Sequence, residues 1–338
     1  MGTLRQVFPR TVVVVCLTIV AIEALVLFSR LGHAPSPHRV PLGIAAPAVV
    51  GQGLAASADA LPGRPFEAQV LDYADAAAAS SAARVAVRDG SSYAALALDL
   101  TTETDTLFVS TVADAELDRV VRARVTAVEG GWGRRLRVVT VPPSRNGQVS
   151  RAAAYVLTAL WVVLGFASTA GLTMARGPVA ATFRLATARV VGLALACVGL
   201  SLFVAVLFGL YFGGLGGSLG EVWLLGAATM LGAAWTTLAL ESLARLAGIG
   251  AATTLFVLLA APLFGLNDPR LLPQPWAAVT PWTLHGAALD VANRLVHFDA
   301  APVLRALCVL AAWIGLPLLT MAVARRERVR AVVGGSHP

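Results

Sequence analysis

Apolar residues gather into six long runs, at positions 11–28, 152–175, 190–211, 222–243, 249–266 and 303–324. A bilayer core about 30 Å thick takes roughly 20 apolar residues at 1.5 Å rise per residue, and each run comes near that length. The pattern predicts a membrane α-helical protein with six transmembrane helices. Between the first and second runs, over 31–150, the periodicity changes. Positions 40–45 read as a strand, and Phe66, Ala68 and Val70 alternate with Glu67 and Gln69 as a half-buried strand does. Positions 93–98, 106–112 and 136–141 supply three more. Helical patterns fall at 54–61, 75–88 and 115–128. In the last of these Leu117, Val120, Val121, Val125 and Val128 share one face, with Asp114 as N-cap and Gly130 past the end. This stretch is predicted to be an extracytoplasmic α/β domain inserted between the first and second spans.

The chain therefore divides into an N-terminus with the first span (1–30), the outer domain (31–150), spans two to five (151–266), an outer segment (267–302), and a sixth span with a basic tail (303–338). The outer segment is too polar and too rich in proline to cross a membrane. Trp276 and Trp282 suit the headgroup layer. After them Leu284, Ala287, Ala288, Val291, Leu295 and Phe298 form one stripe, with Asp290, Asn293 and Arg294 off it. That pattern predicts an amphipathic helix on the outer leaflet.

Charge orients the chain. Outside the insert, arginines cluster at span ends: Arg5 and Arg10, Arg176 with Arg184 and Arg189, Arg245, and Arg325, Arg326, Arg328 and Arg330. By the positive-inside rule both termini are cytoplasmic, in a multi-pass protein of the cell membrane. The net charge of +7 has no basic folded face behind it, so nucleic acid is not an expected partner. No lysine occurs anywhere, which excludes a P-loop ATPase site and Schiff-base chemistry. The first run is longer than a signal-peptide core and Pro35 follows the nearest cleavage-like triplet, so it reads as an uncleaved signal anchor. Cys16, Cys197 and Cys308 all lie in apolar runs, giving neither a disulfide framework nor a metal site. The histidines have no metal spacing.

Three patches carry a family resemblance: Val40-Pro41-Leu42-Gly43-Ile44-Ala45; Asp89-Gly90-Ser91-Ser92-Tyr93-Ala94-Ala95-Leu96; and Leu272-Pro273-Gln274-Pro275-Trp276 through Pro281-Trp282-Thr283-Leu284-His285-Gly286. With the order of one span, a large outer domain and five spans, the chain resembles the YhgE/Pip (phage infection protein) group of the ABC-2 type permease superfamily. The resemblance implies an export subunit for an amphipathic or lipid-like substrate, served by a separate ATPase subunit and with no cofactor. It implies no catalytic residue, so no enzyme activity is expected. The alternative is a non-transporting envelope protein whose outer domain binds a partner; a single span would suffice to anchor that.

Glu23, in the outer half of the first run, is the candidate pathway residue: it either lines a path between the spans or reaches water at the interface. The segment 176–189, with Arg176, Phe183, Arg184 and Arg189, is either a coupling loop for the ATPase subunit or an ordinary basic loop. Trp276, Trp282, His285 and Asp290 are the candidate outer gate. Glu241 and Arg245, four residues apart, are expected to pair on a helix surface. Gly209, Gly213 and Gly217 have the spacing that lets helices approach closely, within the bundle or across a homodimer. The match of 216–220 to G-x-S-x-G is rejected, because it joins two spans rather than a strand and a helix.

Overall fold

The computed structural model describes residues 37–73, 75–112, 114–142, 151–177, 183–212, 219–260, 268–273, 276–298 and 303–334. The first apolar run, and Glu23 with it, lies outside them. In the insert, β1 (Val40–Ala46), α1 (Ala48–Asp59), β2 (Phe66–Asp72), α2 (Ala76–Arg88), β3 (Ala94–Ala97), β4 (Thr104–Ser110), α3 (Ala115–Gly131) and β5 (Arg135–Val141) follow in order. The strands form one sheet in the order β2-β1-β3-β4-β5, parallel except where β4 runs against β3. Its two faces bury different side chains. Val40, Leu42, Ile44, Leu96, Leu107 and Val109 meet α1 and α3 on one face; Ala45, Ala95, Ala97 and Phe108 meet Ala79, Ala83 and Val87 of α2 on the other. Aspartates cap two of the helices. Asp75 accepts from the Ala78 N–H at 2.7 Å, and Asp114 from those of Glu116 and Leu117 at 3.0 Å. The first helix starts six residues ahead of the expected 54, because Pro47, at φ −54°, presets the backbone for a helical first turn.

The helical part comprises α4 (Arg151–Arg176), α5 (Phe183–Phe212), α6 (Leu219–Ala244), α7 (Leu246–Ala260), α8 (Trp276–Val279), α9 (Leu284–His297) and α10 (Leu304–Gly334). Four of these helices are long and apolar enough to cross a membrane, over Ala153–Arg176, Arg184–Tyr211, Leu219–Ala244 and Leu304–Arg326. The fifth run, expected to span over 249–266, is helical over Leu246–Ala260. Among the described residues its apolar stretch is Ala247–Val257, shorter than a bilayer core requires; positions 261–266 of the run lie outside them.

α6 is the central helix: 72% of its most apolar stretch is buried, against 22% for α10, and α4, α5, α7, α9 and α10 all pack on it. Glycines permit the closest crossing. A Cβ on Gly165 of α4 would lie 2.4 Å from the Met230 carbonyl oxygen, and one on Gly226 of α6 would lie 2.6 Å from the Trp161 ring. A Cβ on Gly209 would meet nothing within 4 Å; Gly213 and Gly217 of the same spacing lie outside the described residues.

The domain and bundle meet at the amino edge of β1. The His38 N–H donates to the Arg270 carbonyl at 2.9 Å, the Arg270 guanidinium lies 5.5 Å from the Tyr93 ring centroid, and Leu271 joins the apolar core of the domain. Phe298, just past α9, covers Gly90, whose φ of +77° and lack of a side chain leave room for the ring. β1, β2 and β3 are parallel, so their carboxyl ends point away from this contact. The exposed Arg176, Arg184, Arg245 and Arg326, with the half-buried Arg325, gather at the opposite end of the bundle from the domain.

Candidate functional site

α4 and α6 both run away from the domain and α5 runs back toward it, so the end of α4, the start of α5 and the end of α6 converge there. Three polar side chains turn inward at that end: Thr173 of α4, Arg189 of α5 and Glu241 of α6. Glu241 is fully buried, Thr173 3% exposed and Arg189 5% exposed, so all three are withdrawn from solvent and from lipid. The Thr173 hydroxyl donates to Glu241 Oε2 in a short hydrogen bond, and Arg189 Nη2 donates to the Arg176 carbonyl at 3.0 Å. Among the described residues, Glu241 Oε1 and Arg189 Nε have no hydrogen-bond partner. One turn back toward the domain, the Thr169 hydroxyl donates to the Ala234 carbonyl at 3.0 Å, which ties α4 to α6 beside the site.

Removing a carboxylate and a guanidinium from water costs several kcal/mol each, and their mutual attraction returns that cost only when their hydrogen bonds are complete. Here one bonding position on each is unfilled. The arrangement can take up a proton or a cationic group at Glu241 and an acceptor at Arg189. Among the described residues no group of three His, Cys, Asp or Glu is placed to hold a metal ion.

The expected pairing of Glu241 with Arg245 is not formed. Arg245 follows the end of α6 at φ +53°, with its side chain exposed, while its N–H closes the helix onto the Glu241 carbonyl at 2.7 Å. The chain reverses there, carrying Arg245 off the helix surface that an i,i+4 pair requires. Segment 176–189 is corrected too: Phe183, Arg184 and Arg189 belong to α5, which starts seven residues before the apolar run, and only Arg176 and Gly177 precede the undescribed 178–182. Arg184 is exposed and Arg189 is in the bundle.

The four outer-gate residues do not form one group. Trp282 is 62% exposed, and its carbonyl accepts from Trp313 Nε1 at 3.0 Å. Trp276 packs against the bundle core. Asp290 pairs with Arg294 at 2.9 Å and lies 3.8 Å from Arg305. His285 is buried against Phe256, with Nδ1 unpartnered. Burial pushes its imidazole down to about 4, so it stays neutral at ordinary pH.

Nor does α9 lie flat on a surface. Leu284, Ala287, Ala288 and Val291 bury into the bundle, and His285, Leu289, Ala292 and Val296 are buried beside them. Gly286 makes this possible, since a Cβ there would overlap the Thr280 carbonyl. Comparison with known protein families, with curated proteins and with solved structures gave no match to this chain.

Proposed function

We propose that the chain is a membrane permease, an ABC-2-like export subunit that moves an amphipathic or lipid-like substrate between its helices. One observation carries this reading: a fully buried carboxylate with one oxygen unfilled, beside a buried guanidinium, inside a bundle whose helices are long enough to cross a membrane. Ionisable side chains at such positions are costly and mark substrate or proton routes. In this reading Glu241 and Arg189 receive the polar head of the substrate at the arginine-rich, cytoplasmic end. The outer domain, held to the bundle through Leu271 and Phe298, follows the helices as the path opens outward. With no lysine for a P-loop, the energy comes from a separate ATPase subunit or from the proton gradient.

The test compares retention of the amphiphilic dye rhodamine 6G, and of a nitrobenzoxadiazole-labelled phospholipid, in cells carrying wild type, Glu241→Gln or no copy. Wild type is expected to lower retention of at least one probe, and Glu241→Gln to lose that effect at equal membrane abundance. Equal retention of both probes in all three strains would refute the transport reading.

A further inference from the structure

The α/β domain carries a second buried charge cluster, at its end remote from the bundle. α3 buries Leu117, Val121, Val125 and Glu129, each one turn after the last, so the stripe that builds the core ends in a carboxyl. Glu129 is 1% exposed and faces Asp105 of β4, which is fully buried. Arg134, in the turn between α3 and β5, is the cation that meets both acids.

Its Nε and Nη2 donors are already committed. Nε and Nη2 grip Asp105, the latter at 2.7 Å, and Nη2 also reaches the carbonyls of Asp99 at 2.7 Å and Thr102 at 3.0 Å. Asp105 Oδ1 in turn accepts the Asp99 N–H at 2.9 Å. Glu129 Oε2 lies 4.0 Å from Arg134 Nε, and no donor reaches it.

Two buried carboxyls share one guanidinium, so both cannot be charged without a large penalty. While Nε and Nη2 stay on Asp105 and the two carbonyls, Glu129 bonds Asp105 by keeping its proton and donating it. Burial, and then the Asp105 carboxylate beside it, push Glu129 up to about 7. The remaining charged neighbours are Asp99, Glu103 and Arg135. Thr101 and Thr102 hold Asp99 below the usual carboxylate range, and Glu103 and Arg135 are exposed and joined by a backbone bond of 2.8 Å. Within α3 and its cap, the residues a turn away are Val125, Thr126, Trp132 and Gly133, all uncharged.

We propose that Glu129, Asp105 and Arg134 form a proton-operated latch on the loop 99–103. With one proton shared between the carboxyls, Arg134 holds the Asp99 and Thr102 carbonyls and the loop is closed. When that proton passes to water, the Glu129 carboxylate draws the guanidinium off those carbonyls and the loop opens. The latch senses the pH of the compartment in which the domain stands and is independent of what the bundle does.

The sign follows from linkage. The closed loop holds Glu129 at about 7, above the ordinary carboxyl value of 4.5, and opening lowers it by pairing its carboxylate with the guanidinium, so closing takes up a proton below about 7. The closing constant falls about tenfold per pH unit as pH rises toward that value and levels off above it. Hydrogen exchange of the full-length protein in detergent micelles, corrected for intrinsic rates, reads this at the amides of Asp99 and Arg135. Their protection is expected to drop by up to about 100-fold from pH 5 to pH 7 and then to flatten. Glu129→Gln, whose amide donates to Asp105 as the protonated acid does, is expected to stay protected throughout. Flat wild-type protection from pH 5 to 7, an unchanged slope in Glu129→Gln, or an equal loss at the β1 amides would each overturn the latch.

Discussion

The tight crossing of Gly165 of α4 against Met230 of α6 gives a sharp test of how the helices are held. Gly165→Ala adds a Cβ that would lie 2.4 Å from the Met230 carbonyl oxygen and 2.9 Å from its Cα. Both are backbone atoms, so no side chain can swing aside; α4 and α6 must part by more than half an ångström to restore a 3.0 Å contact. Forcing one extra carbon into a packed interior costs about 1–3 kcal/mol. Replacing glycine by alanine within a helix returns up to about 1 kcal/mol, leaving a net loss of at most ~3 kcal/mol. Gly171, six residues along the same helix, is the control, since a Cβ there meets nothing within 4 Å. Gly171→Ala is expected to be neutral or slightly stabilising. Titration of sodium dodecyl sulfate into dodecylmaltoside micelles, followed by far-ultraviolet circular dichroism, gives the unfolding midpoint of each variant. If Gly165→Ala unfolds no earlier than Gly171→Ala, the reasoning about this crossing fails.

Two further tests address orientation and docking. Reporter fusions at Gly131 are expected outside, and fusions at Arg176, Arg245 and Arg330 inside, because arginine gathers at the end of the bundle opposite the domain; an inside signal at Gly131 would reverse the assignment. Gly90→Ala is expected to combine about 1–2 kcal/mol of left-handed backbone strain with the overlap onto the Phe298 ring. In a Phe298→Ala background only the strain should remain, and an equal cost in both backgrounds would rule out the docking contact.

The insert was legible because its strands and helices differ in period and are separated by turn residues. Each expected strand appears, and Asp114 does cap the helix it precedes. The bundle was less legible. Position 241 reads as half of an i,i+4 pair only while the helix continues to 245, and a left-handed residue ends it there. The amphipathic stripe of 284–298 has the same period on a leaflet or against neighbouring helices; the many small residues on α9, Gly286, Ala287, Ala288 and Ala292, were the sign that it packs into a bundle. Glu129 did leave a signal. It extends Leu117, Val121 and Val125 by one more turn, but a search for apolar residues on that face stops at the first carboxyl.

Leu271 lets the order of synthesis be read from the fold. The domain is complete in sequence by Val141, yet one of its core side chains comes from a segment made about 130 residues later, after α4, α5, α6 and α7. At the 5–20 residues per second of translation, the Tyr93 side of the core waits several seconds or longer for its last apolar contact. The core of the domain is thus closed only by a segment made after α4, α5, α6 and α7.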